Sequence, residues 1–263
     1  MVSGSSIFFM IITIILSIIV PIALIVFLRK KHNISLKYVI VGAIAFLVAV
    51  KLLEGSIHQY VLYNNEKTAT FLRQPIAYML YGGLMAGIFE ETARFICFKW
   101  ILKKDRSFEN GIAYGLGHGG IEAFLIAGSM YINNLITAIQ INTGNFENLL
   151  DKVDNSTAQT LMYIKEQMIQ MPSYTWIIAG IERSSSLIIQ LGLSLLVLYA
   201  VREGKIRYFF LAILCHAVIN FPVALYQVNA IENIIFLEEY LVIIAIVILF
   251  IIIKTRKKFK EKI

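Results

Sequence analysis

Three charged residues lie close together inside an apolar stretch of this sequence. Glu90, Glu91 and Arg94 fall within the apolar run over residues 75–102, which is long enough to cross a bilayer. A charge at the centre of a membrane helix costs roughly 2.5–3.5 kcal/mol on insertion scales, so these groups need partners, water or a metal. The glutamates precede Arg94 by three and four residues, so the arginine can neutralise one carboxylate on its own helix. The other carboxylate remains available for chemistry, unless the three groups form only a structural ionic cluster.

Two of the four histidines also lie in apolar segments, and each has a polar partner one helical turn later. Glu122 follows His118 by four residues, and Asn220 follows His216 by the same spacing, so each pair projects from one helix face. Counted along the predicted helices, both histidines, Glu122 and the glutamate pair lie roughly 13–19 Å from the cytoplasmic ends of their spans. Polar residues on unrelated helices need not coincide in depth. The coincidence predicts that they converge on a common site.

Two imidazoles and one or more carboxylates on separate helices form a suitable ligand set for zinc, with an open position for water or substrate. We therefore expect a divalent metal, foremost Zn²⁺, bound by His118, His216 and Glu122, although the same ligands suit other divalent ions. Water bound there would ionise near neutral pH, and a carboxylate beside it could take the proton. For each histidine alone, a hydrogen bond between helices is the structural alternative.

A second ionic pair, Glu182-Arg183, lies in a later apolar segment and, by the same counting, nearer the outer surface. The pair either lines a polar cavity or stabilises helix packing, and the sequence leaves both interpretations open. Three serines follow it, Ser184 to Ser186. We expect them to serve packing or backbone hydrogen bonds rather than nucleophilic catalysis.

The composition defines the class of protein that carries these residues. The 263-residue chain is 58% hydrophobic and 16% charged, against roughly 25% charged residues in soluble domains, and its mean hydropathy is +0.74. We expect an all-α, polytopic membrane bundle that forms a single integral membrane domain over residues 1–263, in contact with the lipid bilayer. The net charge of +7 lies mainly in short hydrophilic segments, which indicates topology signals rather than nucleic-acid binding.

The apolar runs predict seven membrane spans, at about residues 6–28, 36–53, 75–102, 110–138, 174–201, 208–226 and 234–253. Basic clusters follow the first, third, fifth and seventh spans, which predicts an N-out, C-in topology with a basic cytoplasmic tail over residues 254–263. Residues 54–74 would form a polar connection. The polar segment 140–172 would lie outside and contain a short amphipathic helix capped by Ser156.

Four short motifs occur in a fixed order over about residues 75–225: Glu90-Glu91-x-x-Arg94, His118 with Glu122, Glu182-Arg183, and His216-x-x-x-Asn220. Their order and spacing resemble those of the YhfC family of intramembrane metalloproteases, which is related to the type II CAAX prenyl endopeptidases, the CPBP (Abi) proteins and the PrsW proteases. The CAAX endopeptidases typically have three residues between the second glutamate and the arginine. This chain has two, which favours the YhfC or PrsW side.

The resemblance implies a metal-dependent endopeptidase in a bacterial plasma membrane. The Glu90-Glu91 pair would supply the general base, with Glu91 slightly preferred, and Arg94 would hold one of the two carboxylates. The two histidines would bind or orient the metal and its water. Asn220 would position that water or stabilise the oxyanion that forms at the scissile carbonyl.

The substrate implied by the resemblance is a membrane-associated peptide or protein. Two other classes of function stay open at this point. One is a proton- or ion-coupled transporter that uses the buried glutamates as a relay. The other is a non-catalytic membrane protein that binds a peptide, as in bacteriocin immunity.

Overall fold

The computed structural model describes residues 1–150 and 152–260, and these residues form helices joined by short connections, with no strand among them. The end of the predicted basic tail, residues 261–263, lies outside the described residues, as does position 151 of the predicted outer segment. The expected all-α architecture is confirmed over the described part of the chain.

The helices, in chain order, are α1 (Gly4–His32), α2 (Leu36–Asn64), α3 (Glu66–Phe71), α4 (Pro75–Ile96), α5 (Phe108–Thr143), α6 (Glu147–Leu150), α7 (Asn155–Gln170), α8 (Thr175–Glu203), α9 (Arg207–Gln227) and α10 (Ile234–Lys260). Wider π-helical turns occur within them at Ile15–Ile19, Leu47–Glu54, Tyr60–Asn64 and Phe124–Gly128, and α4 continues through another at Cys97–Ile101.

Six of the described helices are long and apolar enough to cross a membrane, namely α1, α2, α5, α8, α9 and α10. The chain is therefore a polytopic helical membrane protein. The helix α4, predicted as the third span, is not among the six, and it carries the three buried charged residues Glu90, Glu91 and Arg94. The total of seven spans and their orientation stay predictions.

The predicted end of the second span at residue 53 is wrong, because α2 continues to Asn64. The polar residues that suggested a connection have partners within the bundle. Glu54 is buried, and its Oε1 atom lies 3.2 Å from His58 Nε2 one turn later on α2. The other ring nitrogen, His58 Nδ1, lies 2.7 Å from Tyr81 Oη on α4. These contacts give Glu54 Oε1 and both ring nitrogens of His58 partners inside the bundle.

The short helix predicted within residues 140–172 is α7, but its N-cap is Asp154 rather than Ser156. The hydroxyl groups of Ser156 and Thr157 donate to the Asp154 carboxylate at 2.5 and 2.7 Å, and their backbone N–H groups donate to it at 2.9 and 3.1 Å. These bonds favour the ionised form and hold the pKa of Asp154 well below its usual range.

The described residues form two compact units, and the first combines Met1–Ile22 with Ala123–Ser184. Its core includes Met10, Ala138 and Trp176. The hydroxyl of Thr13 donates to the backbone carbonyl of Trp176 at 2.6 Å, and the ring of Tyr131 meets the indole edge-on. Helices α1, α5 and α8 therefore pack together here through both apolar and polar contacts.

The second unit combines Ala23–Glu122 with the described residues from Ser185 onward. Close packing of α4 against α9 depends on two glycines one turn apart. A Cβ atom at Gly83 would lie 2.7 Å from Ala217 O, and one at Gly87 would lie 2.7 Å from Ile213 O. Small residues at this spacing let helix backbones approach closely. The approach brings the glutamate pair of α4 next to His216.

Helix α5 is packed in the same way from two sides within this unit. A Cβ atom at Gly117 would overlap Val39 O of α2, and one at Gly115 would lie 3.0 Å from Leu191 Cα of α8. His118 directly follows Gly117 on α5 and is completely buried. The glycines around His118 thus fix the depth at which its ring enters the core.

Candidate metal centre

The two carboxylates of the α4 pair are both buried, and they have different partners. Glu91 and Arg94 are completely buried, and Glu90 is 6% exposed. The guanidinium donates through Nη1 to Glu91 Oε1, and through Nη2 to Glu90 Oε2 at the longer distance of 3.4 Å. The shorter contact makes Glu91 the main counter-ion of Arg94.

His216 faces both carboxylates with different ring nitrogens. Its Nδ1 atom lies 2.6 Å from Glu91 Oε1, and its Nε2 atom lies 3.9 Å from Glu90 Oε1. An ionised carboxylate only accepts hydrogen bonds, so Nδ1 carries the proton in this contact when the ring is neutral. The tautomer leaves the lone pair of Nε2 directed toward Glu90.

His118 on α5 also contacts Glu90. Its Nε2 atom lies 2.7 Å from Glu90 Oε2, while Nδ1 is buried without a hydrogen-bond partner among the described residues. The rings of Phe46 and Tyr114 pack against the imidazole, with centroids 5.1 and 6.2 Å away. Glu90 is thus the carboxylate that lies between the Nε2 atoms of both predicted histidines.

Glu122 completes a cluster with the geometry of metal ligands. One potential ligand atom from each of Glu90, His118 and Glu122 lies within 4.8 Å of the others, and all three residues are buried. The hydroxyl of Ser186 on α8 donates to Glu122 Oε1 at 2.9 Å. The structure therefore brings His118 and Glu122 of the predicted ligand set together directly. The third predicted ligand, His216, reaches this cluster through Glu90.

The chemistry of the donor atoms tests whether these residues fit a metal. Glu90 and Glu122 supply carboxylate oxygens, His118 supplies an imidazole nitrogen, and all three side chains are buried. Carboxylate with imidazole ligands suits zinc and several other divalent ions. The donor set therefore fits a divalent metal ion.

Gln190 on α8 belongs to the site, although the sequence did not predict it as a site residue. It is 3% exposed, and its Oε1 atom accepts a hydrogen bond from Arg94 Nη2. Its Nε2 atom donates to Glu122 Oε2 at 2.6 Å and to Glu90 Oε2 at 3.2 Å. An available signal was its spacing, because Gln190 follows Ser186 by one turn in an otherwise apolar segment, and buried polar residues in membrane helices are commonly functional.

The remaining predicted site residues are Asn220 and the pair Glu182-Arg183. Asn220 is half-buried one turn after His216, and among the described residues no hydrogen bond joins it to Glu90 or His118. The predicted ion pair between Glu182 and Arg183 does form, within the first compact unit, with the arginine buried and Glu182 partly exposed. Its predicted role at a polar cavity stays a prediction.

The apolar helices and the buried Glu–His–Glu cluster define a polytopic membrane protein with a candidate intramembrane metal site. A family model described as YhfC intramembrane metalloprotease matches residues 16–241, and the chain belongs to this family. It is 41% identical over 260 residues to the "Uncharacterized membrane protein YhfC" of Bacillus subtilis (strain 168), which covers 99% of this chain and 100% of that relative. No solved structure matches. The resemblance to the YhfC family is thereby confirmed.

Proposed function

We propose that this chain is a metal-dependent intramembrane endopeptidase that hydrolyses peptide bonds of membrane-associated proteins or peptides. The observation that carries the proposal is the 2.7 Å contact between Glu90 Oε2 and His118 Nε2 beside Glu122, in a buried cluster with the donor atoms of a metal site. The description of the family as an intramembrane metalloprotease supports the same activity.

Glu90, His118 and Glu122 would hold the metal, and zinc is the ion that we propose. When bound, the ion would supply Lewis-acid chemistry, which polarises the scissile carbonyl and favours ionisation of the attacking water. The carboxylate oxygens of Glu90 and Glu122 favour a divalent cation over a neutral ligand. Burial favours the same outcome, since the attraction between opposite charges is stronger where water is excluded.

His216 is placed to handle the proton. Arg94 holds Glu91 in its ionised form, and Glu91 Oε1 binds the Nδ1 proton of His216, so that the Nε2 lone pair faces the cluster. We propose that Nε2 takes a proton from the attacking water while the oxygen of that water bonds to the scissile carbonyl carbon. When the carbon–nitrogen bond breaks, the same proton passes from Nε2 to the leaving amine.

This assignment gives the glutamate pair two separate tasks. Glu90 would be a ligand, and Glu91 would orient the proton acceptor, whereas the sequence favoured Glu91 as the base and His216 as a ligand. Asn220, one turn from His216, keeps its predicted role at the oxyanion as part of the proposal.

The test compares cells that produce the parent chain with cells that produce His118→Ala at the same membrane level. New protein N-termini would be labelled chemically in the membrane fraction and identified by mass spectrometry. We expect a set of cleavage sites that depends on the parent chain and disappears in the variant. Identical N-termini in both samples, together with a metal-free purified parent, would refute the proposal and favour a transporter or a binding protein.

A further inference from the structure

Gln190 contacts Arg94 and two buried carboxylates, those of Glu90 and Glu122, at once. Its side-chain oxygen accepts from Arg94 Nη2, and its nitrogen donates to Glu122 Oε2 and Glu90 Oε2. A carboxamide has one acceptor atom and one donor atom that carries two protons. Each of these capacities is used here by a buried charged partner, so the orientation of the amide is fixed by its surroundings.

The stem of Gln190 is also fixed by packing. Gly119 on α5 faces it, and a Cβ atom at that glycine would lie 3.1 Å from Gln190 Cβ. One turn further along α8, the hydroxyl of the buried Ser194 donates to the backbone carbonyl of Gln190 at 2.7 Å. The side chain thus passes through a gap that a larger residue at position 119 would narrow.

We propose that Gln190 is a positioning residue of the metal centre, which holds Glu90 and Glu122 side by side for one metal ion and places its amide oxygen against Arg94. This inference rests on the proposed metal-dependent function. Two neighbouring carboxylates repel each other, and the two N–H donors of one amide offset that repulsion when no metal is bound. The amide oxygen of Gln190 accepts a hydrogen bond from Arg94 Nη2, so that this nitrogen has a partner besides the carboxylates that would bind the metal.

A purely structural role and a positioning role make different predictions about metal affinity. If Gln190 only satisfies buried groups, its replacement lowers the stability of the protein but leaves the zinc affinity of the folded fraction unchanged. If it positions the ligands, the affinity itself falls. Replacement of partners that orient metal ligands typically costs about 10- to 100-fold in metal affinity.

The experiment measures the zinc dissociation constant of the detergent-purified full chain by competition with a chromogenic chelator. The variants are Gln190→Met, which keeps the length but removes the hydrogen bonds, and Gln190→Asn, which keeps the amide but shortens its reach. Ser194→Ala is the matched control, because it changes a buried polar residue on the same helix without removing a contact to the carboxylates. Thermal unfolding with chelator present verifies that each protein is folded.

We expect both Gln190 variants to bind zinc about 10- to 100-fold more weakly than the parent, and Ser194→Ala to bind within about twofold. If Gln190→Met does not fold, Gln190→Asn decides the question. Parental affinity in the folded Gln190 variants would overturn this inference and leave the proposed function intact. A parent chain that binds no zinc would instead overturn the proposed zinc-dependent function, and this inference with it.

Discussion

His216 Nδ1 on α9 lies 2.6 Å from Glu91 Oε1 on α4. The two helices meet here because Gly83 and Gly87 allow their backbones to touch. The orientation of one imidazole therefore depends on the packing of glycines one and two turns away. The contact also distinguishes the two histidines, because Nδ1 of His216 has a carboxylate partner, whereas Nδ1 of His118 has no hydrogen-bond partner among the described residues.

The two histidines should differ in metal retention. We expect His118→Ala to lose bound zinc and His216→Ala to retain most of it, because His118 shares the ligand cluster and His216 faces Glu90 only at 3.9 Å. Elemental analysis of the purified variants measures this directly. His58→Ala is the matched control, since it removes another histidine paired with a buried glutamate. Loss of zinc from both site variants would instead place His216 among the ligands.

Bound metal should stabilise the folded chain. A ligand at 100 times its dissociation constant adds about 2.7 kcal/mol to the free energy of unfolding. We expect the parent to unfold at a higher temperature with zinc than with chelator, and His118→Ala to show no such difference. Fluorescence-detected thermal unfolding in detergent provides the measurement. An equal shift in both proteins would mean that zinc binds elsewhere.

Removing the charge of Glu91 should destabilise the chain strongly. Glu91→Gln leaves the completely buried Arg94 without its nearest counter-ion, and breaking a buried ion pair in this way costs about 3–5 kcal/mol. Denaturant unfolding with chelator present isolates this effect from metal binding. The control is Glu109→Gln, which breaks the partly exposed pair with Arg256 and should cost about 0–1 kcal/mol. Similar losses in both variants would contradict the assignment of Glu91 as the main partner of Arg94.

Two adjacent glycines on α4 should respond oppositely to alanine. A Cβ atom at Gly83 would lie 2.7 Å from Ala217 O, whereas one at Gly82 would make an ordinary 3.4 Å contact with Ala224 Cβ. We expect Gly83→Ala to cost about 1–3 kcal/mol through overpacking, and Gly82→Ala to be neutral or to stabilise by up to about 1 kcal/mol. Unfolding of the two variants under identical conditions gives the comparison. Equal stability would mean that α4 and α9 do not approach as described.

The α7 helix should be sensitive to acid. The ionised form of Asp154 accepts four hydrogen bonds at its N-terminus, and its pKa in the folded chain is lowered. Its contribution is therefore complete above the unfolded-state pKa of about 3.9 and is lost as the pH falls through the lower folded-state pKa. Asp154→Asn, which still caps a helix but does not ionise, should remove this pH dependence. Circular dichroism of a 145–172 peptide in micelles, titrated with acid, compares the two sequences.

The residue types and spacings predicted much of the site. Helical spacing placed both glutamates near Arg94, and the shared depth of His118 and Glu122 predicted that they meet the α4 pair. The rotation of each helix about its axis could not be read in the same way, because Glu90 and Glu91 point about 100° apart and either could face His118. That rotation is set by glycine contacts on neighbouring helices.

The sequence was least informative where a polar residue had its partner on a distant helix. Gln190 is a single amide in an apolar segment, and its three charged partners lie 68 to 100 residues away. The sequence predicts packing or a backbone hydrogen bond for Ser186, whereas its hydroxyl donates to Glu122 Oε1. Such pairings depend on tertiary structure, because the local sequence does not identify the partner.

The sequence distances between charge partners also bear on biosynthesis. Arg94 follows Glu91 by three residues, so α4 carries a counter-ion for that carboxylate as soon as it leaves the ribosome. His118 follows Glu90 by 28 residues and Gln190 follows it by 100 residues, and His216 follows Glu91 by 125 residues. These partners are therefore made later than α4. Compensation of the cluster thus follows the order of translation. A helix α4 that enters the membrane before α8 and α9 have been made has Arg94 as a partner for its glutamates but lacks Gln190 and His216.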